Sequence, residues 1–280
     1  YAALSSNTTA SNNVGLGYSA LFANTSGTEN VAVGAEALDA NTSASFNTAV
    51  GSQALSSNTT GHSNTSVGRF SLANNTTGNQ NTAVGRNSLA ANTGSSNTAV
   101  GYVALTANTT GDQNVAIGDV SLDANTTGSQ NTAVGKASLS GNTTGEKSVA
   151  VGNRALKSST TGNYNVAVGR GALEQNTTAS NNTAVGYLAL ENNTTGTRNV
   201  AVGASALDVN TTGNDLCGLG HNALGSNTTG SSNTAMGKDA LEENTTASNN
   251  TAFGSSALQK TTTGIRNVAV GSITIRDHWW

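Results

Sequence analysis

The sequence predicts an all-β fold, a parallel β-solenoid or β-roll of about sixteen 17-residue coils. Three observations predict it. One phrase, N-T-A-V-G-x-x-A-L-x-x-N-T-T-G-x-x, recurs along the 280-residue chain. Its period is too short for helical-pair repeats, which need over about 30 residues, or for propeller blades, which need about 40. Leu, Asn and Gly keep fixed phase within the phrase, which a disordered linker has no reason to do.

The period is measured from the Gly that closes each N-T-A-V-G. These anchors run from Gly17, Gly34 and Gly51 to Gly254 and Gly271. Every step is 17 residues except Gly85 to Gly101, which is 16, where the loop reads NTGSSN and lacks one Thr. Seventeen residues suffice for one coil of short strands and tight turns. Sixteen coils stacked at parallel-strand spacing predict a rod roughly 75–80 Å long. The array fills 1–272 as a single domain, leaving 273–280 as a C-terminal cap or junction. Tyr1 falls in mid-repeat, so the chain is expected to be a piece of a longer protein.

Numbering the phrase from its first Asn gives seventeen slots. Slot 2 is Thr or Val, and slot 4 is Val in most copies, replaced by Leu16, Ile117, Leu219, Met236 or Phe253 elsewhere. Slots 3 and 8 are small. Slot 9 is Leu in all sixteen copies from Leu4 to Leu258, and Ile275 takes that place in the last partial copy. These five slots are the expected core. Side chains alternate along a strand, so slots 2 and 4 share one face and slot 3 takes the other. A half-buried strand would carry a polar residue at slot 3, yet Ala49, Ala83, Ala99 and Ala133 sit there. Both faces therefore read as covered. The small slot 3 residues are expected to press against sister chains in a homo-oligomer around a shared axis. The other reading is a monomeric solenoid with a small-residue outer wall.

The remaining slots are turns and surface. Gly at slots 5 and 15 is expected to supply positive-φ corners. Asn at slots 1 and 12 suits turns and, stacked one coil apart, amide ladders. Where slot 15 is Ala (Ala10, Ala44, Ala179, Ala247), Ser follows; that pairing suggests a second turn type. Slots 6, 7, 10, 11, 16 and 17 hold nearly all the charges, of mixed sign, and are expected to be solvated.

Little in the chain carries chemistry. Net charge is −3 and aromatics are 4%, which gives no basic footprint for nucleic acid and no polybasic membrane patch. No apolar run approaches the 18 residues of a membrane span. Lys136 follows a corner Gly in NTTGSQNTAVGKASL, but six residues separate Gly128 from Gly135 where a phosphate loop needs four. His62, His221 and His278 occupy different slots of distant copies and cannot form one metal cluster. Asp277-His278 lacks a nucleophile, and acidic residues do not recur in a calcium-binding pattern. Cys217, the lone cysteine, replaces Thr or Val at slot 2 and reads as a small packed residue. The Asn-x-Ser/Thr sequons, mostly NTT, are glycan acceptors only in a suitable secretory context and otherwise follow from turn chemistry. No catalytic, cofactor or metal site is expected, and the chain is not expected to be an enzyme. The tail SITIRDHWW leaves the pattern; Trp279 and Trp280 read as a cap over the last coil or as an aromatic sugar platform.

NTAVGYLALENNTTGTRNVAVG resembles the short repeats of bacterial and phage tail-fibre-like surface proteins. The N-x-A-V-G-x-x-A core is also similar to the head repeats of trimeric autotransporter adhesins. That resemblance implies a left-handed parallel β-roll in a homotrimeric fibre, at an extracellular site, cell surface or virion. The period here is longer than the 14 residues of those heads, with the excess between slot 9 and slot 15. The expected function is a rigid trimeric shaft in an adhesin, tail fibre or extracellular filament, with a surface glycan or receptor as partner. The alternative is direct polysaccharide or ice binding by the Thr rows. Ice binding is disfavoured because adjacent Thr residues in a strand face opposite sides.

Overall fold

A computed structural model describes residues 2–273. The expected cap at 273–280 therefore lies, from residue 274 on, outside the described residues. The protein is an all-β parallel solenoid of about 15 turns with no helix among the described residues. Each coil contributes one three-residue strand at slots 2–4. The chain divides into two compact units, Tyr1–Thr144 and Gly145–Trp280.

In the first unit the strands are β1 (Val14–Leu16), β2 (Val31–Val33), β3 (Thr48–Val50), β4 (Thr65–Val67), β5 (Thr82–Val84), β6 (Thr98–Val100), β7 (Val115–Ile117) and β8 (Thr132–Val134). In the second they are β9 (Val149–Val151), β10 (Val166–Val168), β11 (Thr183–Val185), β12 (Val200–Val202), β13 (Cys217–Leu219), β14 (Thr234–Met236), β15 (Thr251–Phe253) and β16 (Val268–Val270). Within each unit every strand pairs in parallel with the next in sequence, like slot on like slot. Thr48, Ala49 and Val50 face Thr65, Ser66 and Val67, for example. The 16-residue coil keeps this register, since Thr82 pairs with Thr98. Its missing residue is absorbed in the turn.

The core is narrow. Ala49 at slot 3, Ala54 at slot 8 and Leu55 at slot 9 are fully buried, and the same trio recurs coil after coil. Small residues at slots 3 and 8 make room for one Leu per coil, and the leucines stack one above another.

This inverts the expectation for the strand. Slot 3 faces the interior of its own chain, so the Ala seam is not available to sister chains. Slots 2 and 4 point outward and are half-buried or exposed. They flank the core rather than form it.

The turns hold further corrections. Gly at slot 5 has φ near +130° to +140°, and a Cβ on Gly51 would stand 2.6 Å from the carbonyl oxygen of Gly68 in the next coil. Gly at slot 15 is not in the positive-φ region. Left-handed backbone falls instead on slots 7, 9 and 17, on side-chain-bearing residues such as Gln53, Leu55 and Ser63. Such residues carry a conformational cost of order 1 kcal/mol or more and persist where surrounding structure over-determines them. Hydrogen bonds between coils do so here: Leu55 N–H donates to Ser71 O (3.0 Å), Gln53 N–H to Ala35 O (2.9 Å) and Ser63 N–H to Ser45 O (3.2 Å). The second turn type is not seen either. Ala44 O accepts from the amides of Asn41 and Asn30, just as Gly61 O accepts from Asn58 and Asn47.

The two Asn slots build buried ladders, as the repeat suggests. At slot 12, Asn58 Nδ2 donates to Asn41 Oδ1 (3.1 Å), and Asn75 Nδ2 to Asn58 Oδ1 (3.0 Å). At slot 1, the backbone N–H donates to the side-chain oxygen one coil before, as from Asn47 to Asn30 (3.0 Å); Leu216, which has no such oxygen, interrupts the series before Asn233. The short coil breaks the slot 12 ladder. Asn92 keeps the usual bond from its amide to the slot 15 carbonyl, here Gly94 O, but makes none to Asn75, whose Oδ1 is buried without a partner.

Candidate interaction surfaces

Three exposed columns run along the coils. The first is the outward strand face. Slot 4 is apolar in every strand, and slot 2 is Val or Thr in all but one. Val67, Val84, Val168 and Val185 are each 36% exposed, and Ile117 is 40% exposed. One exposed aliphatic residue is ordinary on a protein surface. A column repeated at strand spacing makes a contiguous apolar stripe, the kind of surface that marks an interaction site.

The second column is slot 6, directly after the corner Gly. Backbone bonds stack it: Asn87 N–H donates to Arg69 O (3.1 Å), Val103 N–H to Arg86 O (3.0 Å) and Val120 N–H to Tyr102 O (3.0 Å). Arg69, Arg86, Tyr102, Asp119 and Lys136 thus occupy successive rungs. Arg69 lies 4.4 Å over the Phe70 ring, and Arg86 reaches 5.9 Å over Tyr102. Lys136 pairs with Asp119 at 3.4 Å, which is the structural role of the lysine in the loop-like motif. In the second unit Arg170 caps Tyr187 at 5.5 Å and donates to its hydroxyl. Slot 17 of that unit adds a bidentate pair, Arg198 to Asp215. The guanidinium's hydrogen bonds hold the Asp215 carboxyl below its usual range.

The third column is slot 10, where the expected solvation is only partial. Asp39, Asp123 and Asp208 are half-buried, and that desolvation pushes each carboxyl above its ordinary pKa. Neighbouring acids, Glu36, Asp119 and Glu191 respectively, add to the upward push. Asp39 Oδ1 and Asp123 Oδ1 have no hydrogen-bond partner. Glu174 is buried and paired with Arg154 at 2.5 Å.

His62 stands at slot 16, its ring 3.2 Å from Ser63 Oγ. His221 stands at slot 6, 3.7 Å from Asp239. His278 and Asp277 lie outside the described residues, as do Trp279 and Trp280. No group of three or more His, Cys, Asp or Glu is placed to hold a metal ion among the described residues. Cys217 is half-buried on the outward face of β13, and burial pushes its thiol pKa up. The slot 13 Thr hydroxyls turn back to the array: Thr59 Oγ1 donates to Thr76 O (3.1 Å), and Thr211 Oγ1 to Thr228 O (3.1 Å). Among the described residues no helix is long and apolar enough to cross a membrane.

Sequence reasoning missed the basic and aromatic column, although its signal was present. Reading slot 6 downward through successive copies, rather than along the chain, places Arg69, Arg86 and Tyr102 side by side. No protein-family model matches the chain, and comparison with curated proteins finds no match either.

Proposed function

We propose that this chain is a structural and adhesive fibre segment, a rigid shaft that self-associates as a homotrimer in a cell-surface adhesin, tail fibre or extracellular filament. The observation that carries the reading is the outward strand face. A solenoid that buries Ala and Leu inside itself has no internal need for Val, Ile or Phe at slot 4. Polar residues there would keep the same backbone ladder. Apolar residues held there in every strand are accounted for by burial against copies of the same chain, whose strand rise is identical. Burying apolar surface stabilises by about 25 cal/mol per Å², and a repeated column multiplies a small gain per coil. The backbone ladders between coils and the two Asn ladders support stiffness along the array.

The test is mass by light scattering on the 280-residue chain. Three chains per particle are expected. Val67→Lys with Val84→Lys places two cations on the outward face without touching the interior, and is expected to give folded monomers. A wild-type protein that stays monomeric at high concentration overturns the reading.

A further inference from the structure

We propose that Arg69, Arg86 and Tyr102 form a binding site for an acidic polysaccharide, one bearing carboxylate or sulfate groups. The site goes beyond the shaft reading and does not depend on self-association. The backbone ladder fixes Arg69 and Arg86 on successive rungs of slot 6, their backbones about 4.8 Å apart at strand spacing. Neither guanidinium has a carboxylate in ion-pair range among the described residues. Several other cations of the array do have one. Lys136 is set beside Asp119, Arg154 beside Glu174 and Arg198 beside Asp215. Two adjacent cations without a counter-ion repel each other, and an anion bridging both relieves that repulsion. The guanidinium fork matches the planar pair of oxygens on carboxylate or sulfate.

Aromatic rings flank the pair. Phe70 lies beneath Arg69, orienting it, and Tyr102 continues the column one rung beyond Arg86. Tyr102 is 51% exposed. Its ring offers an apolar face to a sugar ring, and its hydroxyl offers a polar tip. The order along the column is anion contact, anion contact, stacking platform. That order suits a charged sugar followed by its neighbour in a chain. Nucleic acid fits less well: its phosphates repeat, whereas the next rungs carry Asp119 and the whole chain is net −3.

The test uses the full chain at low salt, with heparin and polygalacturonate as sulfated and carboxylated probes. Neutral dextran and a short DNA duplex are the comparison probes. Wild type is expected to bind both acidic polysaccharides and neither comparison probe. Arg69→Ala with Arg86→Ala is expected to weaken binding about tenfold or more, as loss of charge-assisted contacts does, and to flatten its salt dependence. Slot 6 carries Ala35 and Ala204 in other coils, so these variants keep the fold; circular dichroism checks this. Tyr102→Ala is expected to weaken polysaccharide binding severalfold while leaving the salt dependence unchanged, because it removes no charge. Binding unaffected by the arginine changes overturns the proposal. So does an unchanged affinity in Tyr102→Ala, or DNA bound as tightly as heparin.

Discussion

Replacing Asn58 by Ala probes the buried amide ladder where it is intact, and replacing Asn75 by Ala probes it where the short coil has broken it. The Asn58 side chain makes three hydrogen bonds: it donates to Asn41 Oδ1 (3.1 Å) and Gly61 O (2.9 Å), and accepts from Asn75 Nδ2 (3.0 Å). The Asn75 side chain makes only the two it donates, to Asn58 Oδ1 and Gly78 O, because its own oxygen has no partner. Both side chains are fully buried, so both truncations leave the same small cavity. At about 1 kcal/mol net per hydrogen bond, Asn58→Ala costs about 3 kcal/mol and Asn75→Ala about 2. Inserting Thr between Thr93 and Gly94 restores the 17-residue step. It is expected to return the donor of Asn92 to Asn75 and to gain about 1 kcal/mol. Urea unfolding followed by circular dichroism, with midpoint and slope both fitted, measures all three. Equal costs at Asn58 and Asn75, or an insertion that destabilises, would refute the idea that the ladder is built rung by rung from these amides.

Other perturbations follow from the same coil geometry. Gly118→Ala places a Cβ 2.6 Å from Gly135 O at a backbone of φ +135°; it is expected to cost about 3 kcal/mol or more, read as a lowered Tm. Leu122→Ala empties the only large interior position of its coil, where Leu122 is fully buried, at about 3 kcal/mol. Asp39, Asp123 and Asp208 have folded pKa values raised by burial, so the fold binds their protons more tightly than the unfolded chain does. Their contribution is fully present below the unfolded value near about 4 and is lost as pH rises through the folded values. The three Asp→Asn changes together are therefore expected to raise stability at pH 7 and to flatten its decline between pH 4 and neutrality, as followed by thermal unfolding across that range.

The sequence by itself determined the period, the class of fold and the pairing register. A fixed 17-residue phrase brings like slots together in neighbouring coils, and parallel pairing satisfies each strand from the one before and the one after. It also determined that Leu at slot 9 is interior and that Asn at slots 1 and 12 ladders, since no other arrangement of the repeat gives those residues constant neighbours. Which face of the strand points inward was decided only by the tertiary structure. Slots 2, 3 and 4 are all small or apolar, so polarity does not separate inside from outside; size does. The coil is so narrow that one Leu fills it and only Ala, Ser or Gly fits opposite, which turns slot 3 inward and sends Val and Thr out. The left-handed backbone at slots 7, 9 and 17 was equally hidden, because residues as varied as Gln53, Val120 and Arg154 occupy slot 7. Hydrogen bonds from the neighbouring coils, rather than the residues' own preferences, hold them there. The juxtaposition of Arg69, Arg86 and Tyr102 belongs to both levels. The letters were fixed in the chain, but their distance in space was set by stacking one coil on the next.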